Sequence, residues 1–444
     1  MALRSNIRRI RAGFGESGRS AVANFGWLIA DKIIKLLNGL LIGLLVARYL
    51  GVGQFGQLNY GLAVIALILP LTELGLEQVI RRRVLKERGA ASDTLAAALG
   101  MRLAAGAVAY TAVCIYSLSG VDSQGGPLLM ILGLTLFQAA VVVPESWLQA
   151  GLKAEIAVVV GWTAMLTGAI LRLCLVWIGA NLELFAWVVV AEMTVGGVVL
   201  WVVAFRSGLP TLRFNELRQT GCSLLNESWP LLLSGVAVTL YMKVDVVMLR
   251  LMMGEEEAGV YAAAVRLSEV GYFIPVALAS SMLPFLFKSR DRGAEAYRLI
   301  IQRYYDLNAA LGYAVAIPLV LLGPYLVNLL YGTAFSGAGR VLSCHACAVV
   351  FVFLGVARGQ YLTNEGWQRF GLVCTLLGAV LNVGLNWWLI PKMGALGAAW
   401  ATVIAYGVAA CGSSWLLADM RPNAIIQTRA LLIPFTGWRY VFRL

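Results

Sequence analysis

Residues 183–205 of the chain read ELFAWVVVAEMTVGGVVLWVVAF. The stretch is long enough to cross the hydrocarbon core of a bilayer as one helix, which takes about 20 residues, and only Glu183 and Glu192 in it are charged. Similar stretches recur along the chain, since 60% of its 444 residues are hydrophobic and only 13% are charged. A segment that crosses lipid must satisfy its backbone hydrogen bonds internally. We therefore predict an all-α polytopic membrane protein.

About twelve transmembrane helices are predicted in total, and residues 183–205 are the sixth. They lie at residues 22–46, 58–80, 96–118, 127–149, 157–178, 183–205, 222–249, 262–287, 307–330, 341–363, 370–390 and 395–418. Outside these spans, Lys and Arg concentrate in every second connection, and the remaining connections hold only Arg48, Arg250, Arg340 and Lys392. Because basic connections stay in the cytoplasm, both termini are predicted to be cytoplasmic, in a multi-pass protein of the cytoplasmic (inner) membrane.

The second half of the chain repeats the first. Four pairs of matches follow one another in the same order: Asn24 to Trp27 with Asn226 to Trp229, Leu50-Gly51 and Gly56 with Met253-Gly254 and Gly259, Gly168 to Arg172 with Gly378 to Asn382, and Ala186-Trp187 with Ala399-Trp400. Six spans per half is an even number, so both halves enter the membrane in the same direction. Parallel repeats of this kind are typical of transporters, with a central cavity between the repeats.

This repeat gives the predicted domain organisation. A basic cytoplasmic N-terminus covers residues 1–21, and two six-helix bundles cover residues 22–205 and 222–418. A cytoplasmic linker at 206–221 joins the bundles. Residues 419–444 alternate basic and apolar side chains, which predicts a cytoplasmic amphipathic tail on the inner leaflet.

Several other functions are disfavoured by the same residues. The net charge of +12 comes from loops beside anionic lipid headgroups, so we expect no nucleic-acid partner. Cys344-His345-Ala346-Cys347 has no second Cys/His pair to complete a metal site, and no metal or cofactor is predicted. No Asp-Asp pair and no large external loop is present for a membrane enzyme.

Three segments resemble a known family. They are Ala47-Arg-Tyr-Leu-Gly-Val-Gly-Gln-Phe-Gly-Gln-Leu-Asn-Tyr60, Asp245-Val-Val-Met-Leu with Ala258 to Leu267, and Gly378 to Thr402. They are similar to the polysaccharide and O-antigen repeat-unit flippases, in a superfamily with multidrug exporters and lipid II flippases. The resemblance implies alternating access and a polyprenyl-pyrophosphate-linked oligosaccharide as substrate, moved to the outer leaflet for surface polysaccharide biosynthesis. It also implies H+ or Na+ coupling.

Charged side chains inside the spans are candidates for function, because a charge in hydrocarbon is costly unless it faces protein or water. Asn24, Trp27, Asp31, Lys35 and Asn38 form one polar stripe at helical spacing, which predicts a wet cavity. A pyrophosphate needs cationic partners, and we assign substrate binding to Lys32, Lys35, Asn38, Arg172, Arg266 and Arg358. Ion coupling is assigned to Asp31, Glu73, Glu192 and Glu269.

Structural roles compete with each assignment. Asp31 with Lys35, and Arg266 with Glu269, have the spacing of ion pairs within one helix. Arg172 and Glu192 can tie two adjacent spans together. Arg102 and Arg358 lie near cytoplasmic ends, where they can meet lipid phosphates. Lys243 and Asp245 are predicted near the outer interface, where side chains snorkel easily.

The favoured function is therefore a lipid-linked oligosaccharide flippase, a monomeric transporter and not an enzyme. An ion-coupled multidrug or metabolite antiporter of the same superfamily is the alternative, followed by a membrane sugar polymerase or transferase. Besides its substrate and the membrane lipids, a polysaccharide polymerase and a chain-length regulator are the expected partners.

Overall fold

The computed structural model describes residues 16–86, 91–120, 125–151, 154–213, 217–290 and 293–436, and in the first helix it describes side chains from Ile34 onward. The regular elements in these ranges are all helical. In the first part of the chain they are α1 (Glu16–Glu73), α2 (Leu76–Lys86), α3 (Ala91–Leu118), α4 (Gly126–Gly133), α5 (Gln138–Val141), α6 (Val143–Ala150), α7 (Ala154–Ile178) and α8 (Leu182–Arg206). In the second part they are α9 (Leu217–Met253), α10 (Glu255–Glu269), α11 (Phe273–Arg290), α12 (Ala294–Tyr331), α13 (Gly337–His345), α14 (Cys347–Glu365), α15 (Gln368–Met393), α16 (Ala395–Ala410), α17 (Arg421–Leu431) and α18 (Ile433–Thr436).

Eleven helical stretches in the described ranges are long and apolar enough to span a membrane. The first, Ile34–Lys86, has 53 residues and contains the second part of the first predicted span (22–46) and all of the second (58–80). At 1.5 Å per residue it is about 80 Å long, far more than one crossing needs. Each of the other ten corresponds to one predicted span, so the prediction of about twelve transmembrane helices is confirmed.

Gly51 divides α1 between its two spans. Its φ of 71° and ψ of 176° are not helical, and glycine adopts this conformation without the penalty that a Cβ would bring. Gly254, the matching glycine of the sequence repeat, separates α9 from α10 with φ 98° and ψ −175°. The repeat therefore preserves a specific backbone break at the end of the first span of each half.

Gly56 and Gly259, the next pair of matched glycines, pack against each other's helices. A Cβ on Gly56 would clash with the backbone carbonyl of Glu255, and one on Gly259 would clash with the carbonyl of Val52. The relation is reciprocal, as expected for elements related by an approximate twofold axis. Small residues permit this close backbone approach between membrane helices.

Two compact units are present, and they do not follow the order of the chain. Unit 1 consists of the described residues within 1–39, 71–115 and 130–231, and unit 2 of those within 40–70, 116–129 and 232–444. Each has its own apolar core: Leu76, Leu95 and Leu148 are fully buried in unit 1, and Tyr305, Val349 and Phe353 in unit 2. The predicted bundles at 22–205 and 222–418 are a division by sequence repeat, and that division stays a prediction.

The predicted tail begins as a helix docked on unit 2. α17 inserts Ile426 and Ala430 into the same core as Tyr305 of α12. The Tyr305 hydroxyl donates a hydrogen bond to Asn423 Oδ1 at 2.8 Å, while Arg421 and Arg429 are exposed. Residues 437–444 of the tail lie outside the described part of the structure.

Candidate functional site

A cavity of about 400 Å³ lies inside unit 1, among α1, α5, α6, α7 and α8. Among the described residues, its polar lining consists of Lys35, Gln138, Glu145 and Glu192. Alanine, glycine, valine, leucine and methionine residues form the rest of the described wall. We call it the Lys35 cavity. Two of the predicted site residues, Lys35 and Glu192, are brought together here.

Small residues on α7 and α8 leave room for this cavity. Gly161 and Ala164 line it from α7, and Gly196 and Gly197 from α8. The Nζ atom of Lys35 lies 3.4 Å from the position that a Cβ on Gly161 would take. The ammonium group therefore reaches across the cavity to the opposite helix.

Arg172 and Glu192 join α7 to α8 at the edge of the Lys35 cavity. The Arg172 Nη2 atom lies 2.7 Å from Glu192 Oε2, and the side chains are only 19% and 27% exposed. Gly168, one turn before Arg172, has no side chain, and a Cβ there would lie 2.5 Å from Glu192 Oε2. The expected tie between the two spans is present, and it fixes one of the two acidic groups of the cavity.

Glu145 is the second acidic group, and it is missing from the predicted site residues. It accepts a hydrogen bond from Gln149 Nε2 at 2.8 Å. Among the described residues, the cavity lining therefore carries one basic side chain, Lys35, and two acidic ones, Glu145 and Glu192. The sequence signal for Glu145 was a charge inside a predicted span, the same criterion that selected the other candidates.

Two further candidates of unit 1, Asn38 and Glu73, do not line the cavity. The side chains of Asp31 and Lys32 lie outside the described part of α1. Asn38 is half-buried and does not line the cavity. Glu73 is exposed at the end of α1, and its carbonyl accepts a hydrogen bond from Arg102 Nε at 3.3 Å.

In unit 2, the predicted pair Arg266 and Glu269 contacts other elements. The Arg266 guanidinium packs against Gly43 and lies 5.5 Å from the centre of the Phe55 ring. Glu269 Oε2 lies 3.8 Å from Lys243 Nζ. Arg266 therefore stabilises packing between helices α1 and α10, whereas Glu269 has a cationic partner on α9.

Arg358 is buried, with 4% of its surface exposed. Its Nη1 atom donates hydrogen bonds to the carbonyls of Ala409 and Ala410 and to Ser413 Oγ. These carbonyls end α16, where no further helical N–H is available for them. Arg358 also borders a cavity of about 480 Å³ in unit 2, which we call the Arg358 cavity.

A third polar site surrounds Asp245, between α9, α10, α15 and α16. Oδ2 of Asp245 accepts hydrogen bonds from the Tyr261 hydroxyl at 2.6 Å and from Thr402 Oγ1 at 2.7 Å. Oδ1 accepts one from Asn386 Nδ2 at 2.5 Å, and the same nitrogen donates to Asn382 Oδ1 at 3.0 Å. We call these five residues the Asp245 cluster.

The prediction that Asp245 snorkels to the outer interface is wrong, because it is only 2% exposed. All its hydrogen-bond partners are neutral, and in the described part of the structure it forms no ion pair. The cluster offers one carboxylate and several neutral oxygens, including Asn386 Oδ1, which is buried without a hydrogen-bond partner. This donor set suits a proton or a small hard cation such as Na+. Asn382 and Asn386, four residues apart within one span, were the available sequence signal.

Comparison with known proteins gives a consistent family. A model of the family described as polysaccharide biosynthesis protein matches residues 21–290. A Shigella dysenteriae protein named an O-antigen transporter is 27% identical over 57% of this chain, which spans 63% of that protein's length. A Haloferax volcanii protein named low-salt glycan biosynthesis flippase Agl15 is 22% identical over 82% of this chain and 76% of its own length.

Solved structures share the fold at low sequence identity. The lipid II flippase MurJ in an inward closed conformation superposes with a TM-score of 0.73 at 12% identity, covering 94% of this chain and 93% of that chain. An inward-facing multidrug resistance transporter of the MATE family, in the MOP superfamily, gives a TM-score of 0.70 at 18% identity, covering 89% and 96%. The helices therefore have the arrangement found in this transporter superfamily.

Proposed function

Because the chain belongs to the polysaccharide biosynthesis protein family, we propose that it is a flippase for polyprenyl-pyrophosphate-linked oligosaccharide repeat units. It would move them from the inner to the outer leaflet by alternating access, for surface polysaccharide biosynthesis. The protein is a multi-pass membrane transporter and not an enzyme. The observation that carries the substrate proposal is the Lys35 cavity, a charged chamber inside a membrane-spanning bundle.

A diphosphate group supplies the chemistry that this cavity fits. Moving its charges out of headgroup water requires replacement of their hydration, and charge-assisted hydrogen bonds from Lys or Arg provide it. Lys35 reaches across the cavity, and Arg172 is joined to it only through its ion pair with Glu192, which lines the cavity. Gln138 adds an amide that can bind a sugar hydroxyl. Lys32, Asn38, Arg266 and Arg358 remain proposed contacts along the substrate path.

Within this proposal, the Asp245 cluster is our first candidate for the site that couples transport to H+ or Na+. A buried carboxylate with neutral oxygen partners changes its interactions most when it gains H+ or Na+. Ion binding there would favour one conformation over another by its differential affinity. Asp31, Glu73, Glu192 and Glu269 stay as further candidates, although Glu192 and Glu269 already have cationic partners.

The proposal includes location and partners. The protein would reside in the cytoplasmic membrane as a monomer with both termini in the cytoplasm. There it would receive its substrate from the enzymes that build lipid-linked sugars and pass it to a polysaccharide polymerase, with a chain-length regulator as a further partner.

A multidrug or metabolite antiporter is the second candidate. Glu145 and Glu192 give the Lys35 cavity two acidic groups, which would suit a cationic substrate. In such a protein Lys35 would weaken substrate binding, because its positive charge repels a cationic substrate. Replacing Lys35 therefore separates the two functions by the direction of the effect.

The test uses a strain that lacks the gene and carries the wild-type gene, Lys35→Gln or Lys392→Gln in its place. Lys392 is an exposed lysine over the Trp388 ring, outside the cavity, and serves as the matched control. We expect the deletion to lose surface polymer while lipid-linked units accumulate, as a block after their synthesis requires. Lys35→Gln should restore less than a tenth of the wild-type polymer, and Lys392→Gln all of it.

The deletion strain also provides the result that would reject the flippase. Unchanged polymer in the deletion strain, together with greater sensitivity to cationic compounds, would reject the flippase and favour the antiporter. In that case Lys35→Gln should increase resistance. Full polymer with Lys35→Gln would reject Lys35 as a substrate contact while leaving the flippase assignment in place.

A further inference from the structure

Apart from Arg358, a proposed substrate contact, the lining of the Arg358 cavity has no role in the assignments above. It lies within unit 2 among α9, α14, α15 and α16, and its volume of about 480 Å³ is in the range of small-ligand sites. Besides tyrosine hydroxyls, its polar groups come from Ser234, Thr363, Gln368 and Thr375, and among the described residues Arg358 is the only charged one that lines it. No acidic side chain is among the described residues that line it.

In the described structure the hydrogen-bond partners of Arg358 are neutral carbonyl and hydroxyl oxygens. In the described part of the chain Arg358 forms no ion pair with a carboxylate. A guanidinium carries five N–H groups, and all its hydrogen bonds in the described structure leave from Nη1, toward the end of α16. The N–H groups of Nε and Nη2 are therefore left for a ligand.

The rest of the wall is apolar and aromatic. Tyr241 and Tyr406 stack with ring centres 4.3 Å apart and line the cavity together with Val238, Val352 and Leu372. The Phe370 ring holds the guanidinium at 5.5 Å from its centre. A ligand that satisfies this lining has an anionic end and an apolar body.

The cavity opens where α14 ends and α15 begins. Gly359, Thr363 and Gln368 line it and are exposed. Seven residues separate Arg358 from the last residue of α14, Glu365, which is about 10 Å along a helix. In the predicted topology this connection is cytoplasmic, so Arg358 lies at the depth of the phosphate layer or just below it.

From these observations we propose that unit 2 carries a binding site for the phosphate group of an anionic amphiphile. The Nε and Nη2 atoms of Arg358 bind the phosphate oxygens, the hydroxyl and amide groups near the opening bind the polar substituent, and the apolar wall takes the start of the hydrocarbon chain. The site is separate from the Lys35 cavity and does not depend on flipping. A glycerophospholipid and a polyprenyl phosphate share this chemistry.

Native mass spectrometry of the full-length protein in detergent tests the site. The probes are dioleoyl phosphatidylglycerol, undecaprenyl phosphate and inorganic phosphate. Gly359→Leu is the main variant, because nothing lies within 4 Å of a Cβ at Gly359 and the leucine would occupy the cavity. Gly384→Leu on α15 is the matched control, since it also has an empty surrounding but does not line the cavity.

We expect one tightly bound equivalent of at least one amphiphile, weakened tenfold or more by Gly359→Leu and unchanged in Gly384→Leu. Arg358→Gln should weaken binding as strongly, and Gly359→Leu keeps the test valid if loss of the α16 cap unfolds that protein. The tighter amphiphile identifies the source of the phosphate. Unchanged binding in Gly359→Leu, or equal binding of inorganic phosphate, would overturn the proposal.

Discussion

The Lys35 cavity and the Arg358 cavity occupy equivalent places in the sequence repeat but differ in charge. The first is lined from predicted spans one, four, five and six, and the second from spans seven, ten, eleven and twelve, with Tyr272 of span eight. Glu145 lies on the fourth predicted span of the first half, and Arg358 lies on the fourth predicted span of the second half. Among the described residues, the first cavity therefore has two acidic groups and one basic group, and the second has one basic group and no acidic group.

A second pair of matched positions in the two halves also differs in charge. Arg172 aligns with Asn382 in the repeat. Arg172 forms an ion pair with Glu192, whereas Asn382 belongs to the neutral shell around Asp245. The backbone breaks and glycine contacts are kept in both halves, while the polar residues diverge. The two halves therefore share the backbone features that set helix packing, but they differ in the polar side chains that could bind ligands.

The glycine contacts provide the largest expected effect and test the equivalence of the halves. Gly56→Ala and Gly259→Ala each place a Cβ against a backbone carbonyl, which cannot rotate away. Forcing the helices apart should cost about 3 kcal/mol in each case, at the upper end for overpacking. Thermal unfolding of the purified variants measures this cost.

Gly53→Ala is the control for both substitutions, because nothing lies within 4 Å of a Cβ at Gly53. It should be neutral or stabilising by up to about 1 kcal/mol, as alanine is preferred over glycine in a helix. A large loss at Gly56 with none at Gly259 would break the equivalence of the two halves.

The second prediction sharpens the difference between the halves. If the Asp245 cluster binds Na+, the ion should stabilise the protein by about 2–3 kcal/mol at a hundred times its dissociation constant. Melting temperatures in NaCl and in choline chloride at equal ionic strength measure this stabilisation. Asp245→Asn should abolish the difference, because the amide removes the only negative charge of the cluster, and should slow transport at least tenfold.

Glu192→Gln is the comparison variant in unit 1, since Glu192 is already paired with Arg172. It should keep the full response to Na+. A response lost in Glu192→Gln and kept in Asp245→Asn would move ion coupling to the Lys35 cavity.

Sequence reasoning predicted the fold more fully than the sites. Span length and charge alternation are local properties, so the spans could be placed without knowing what packs against what. Asp245 shows the limit: its position near the end of a span suggested an exposed side chain, but burial depends on Tyr261, Asn386 and Thr402, which come from three other helices. Arg358 was selected as a charge, but the carbonyl groups that it caps lie 51 and 52 residues further along the chain.

The Arg172–Glu192 pair has a smaller expected effect than the glycine contacts or the Asp245 cluster, and it decides whether these two charges are structural. Both side chains are less than a third exposed and lie 2.7 Å apart. We expect a double-mutant cycle with Arg172→Gln and Glu192→Gln to give a coupling free energy of about 1–2 kcal/mol in thermal unfolding. The neutral contact of Asn382 with Asn386 should give about 0.5–1 kcal/mol in the corresponding cycle. A coupling near zero between Arg172 and Glu192 would mean that neither charge depends on the other for the stability of the bundle. Both would then be available to a substrate in the Lys35 cavity, and the contrast between the two halves would lie in ligand binding and not in how the helices are held together.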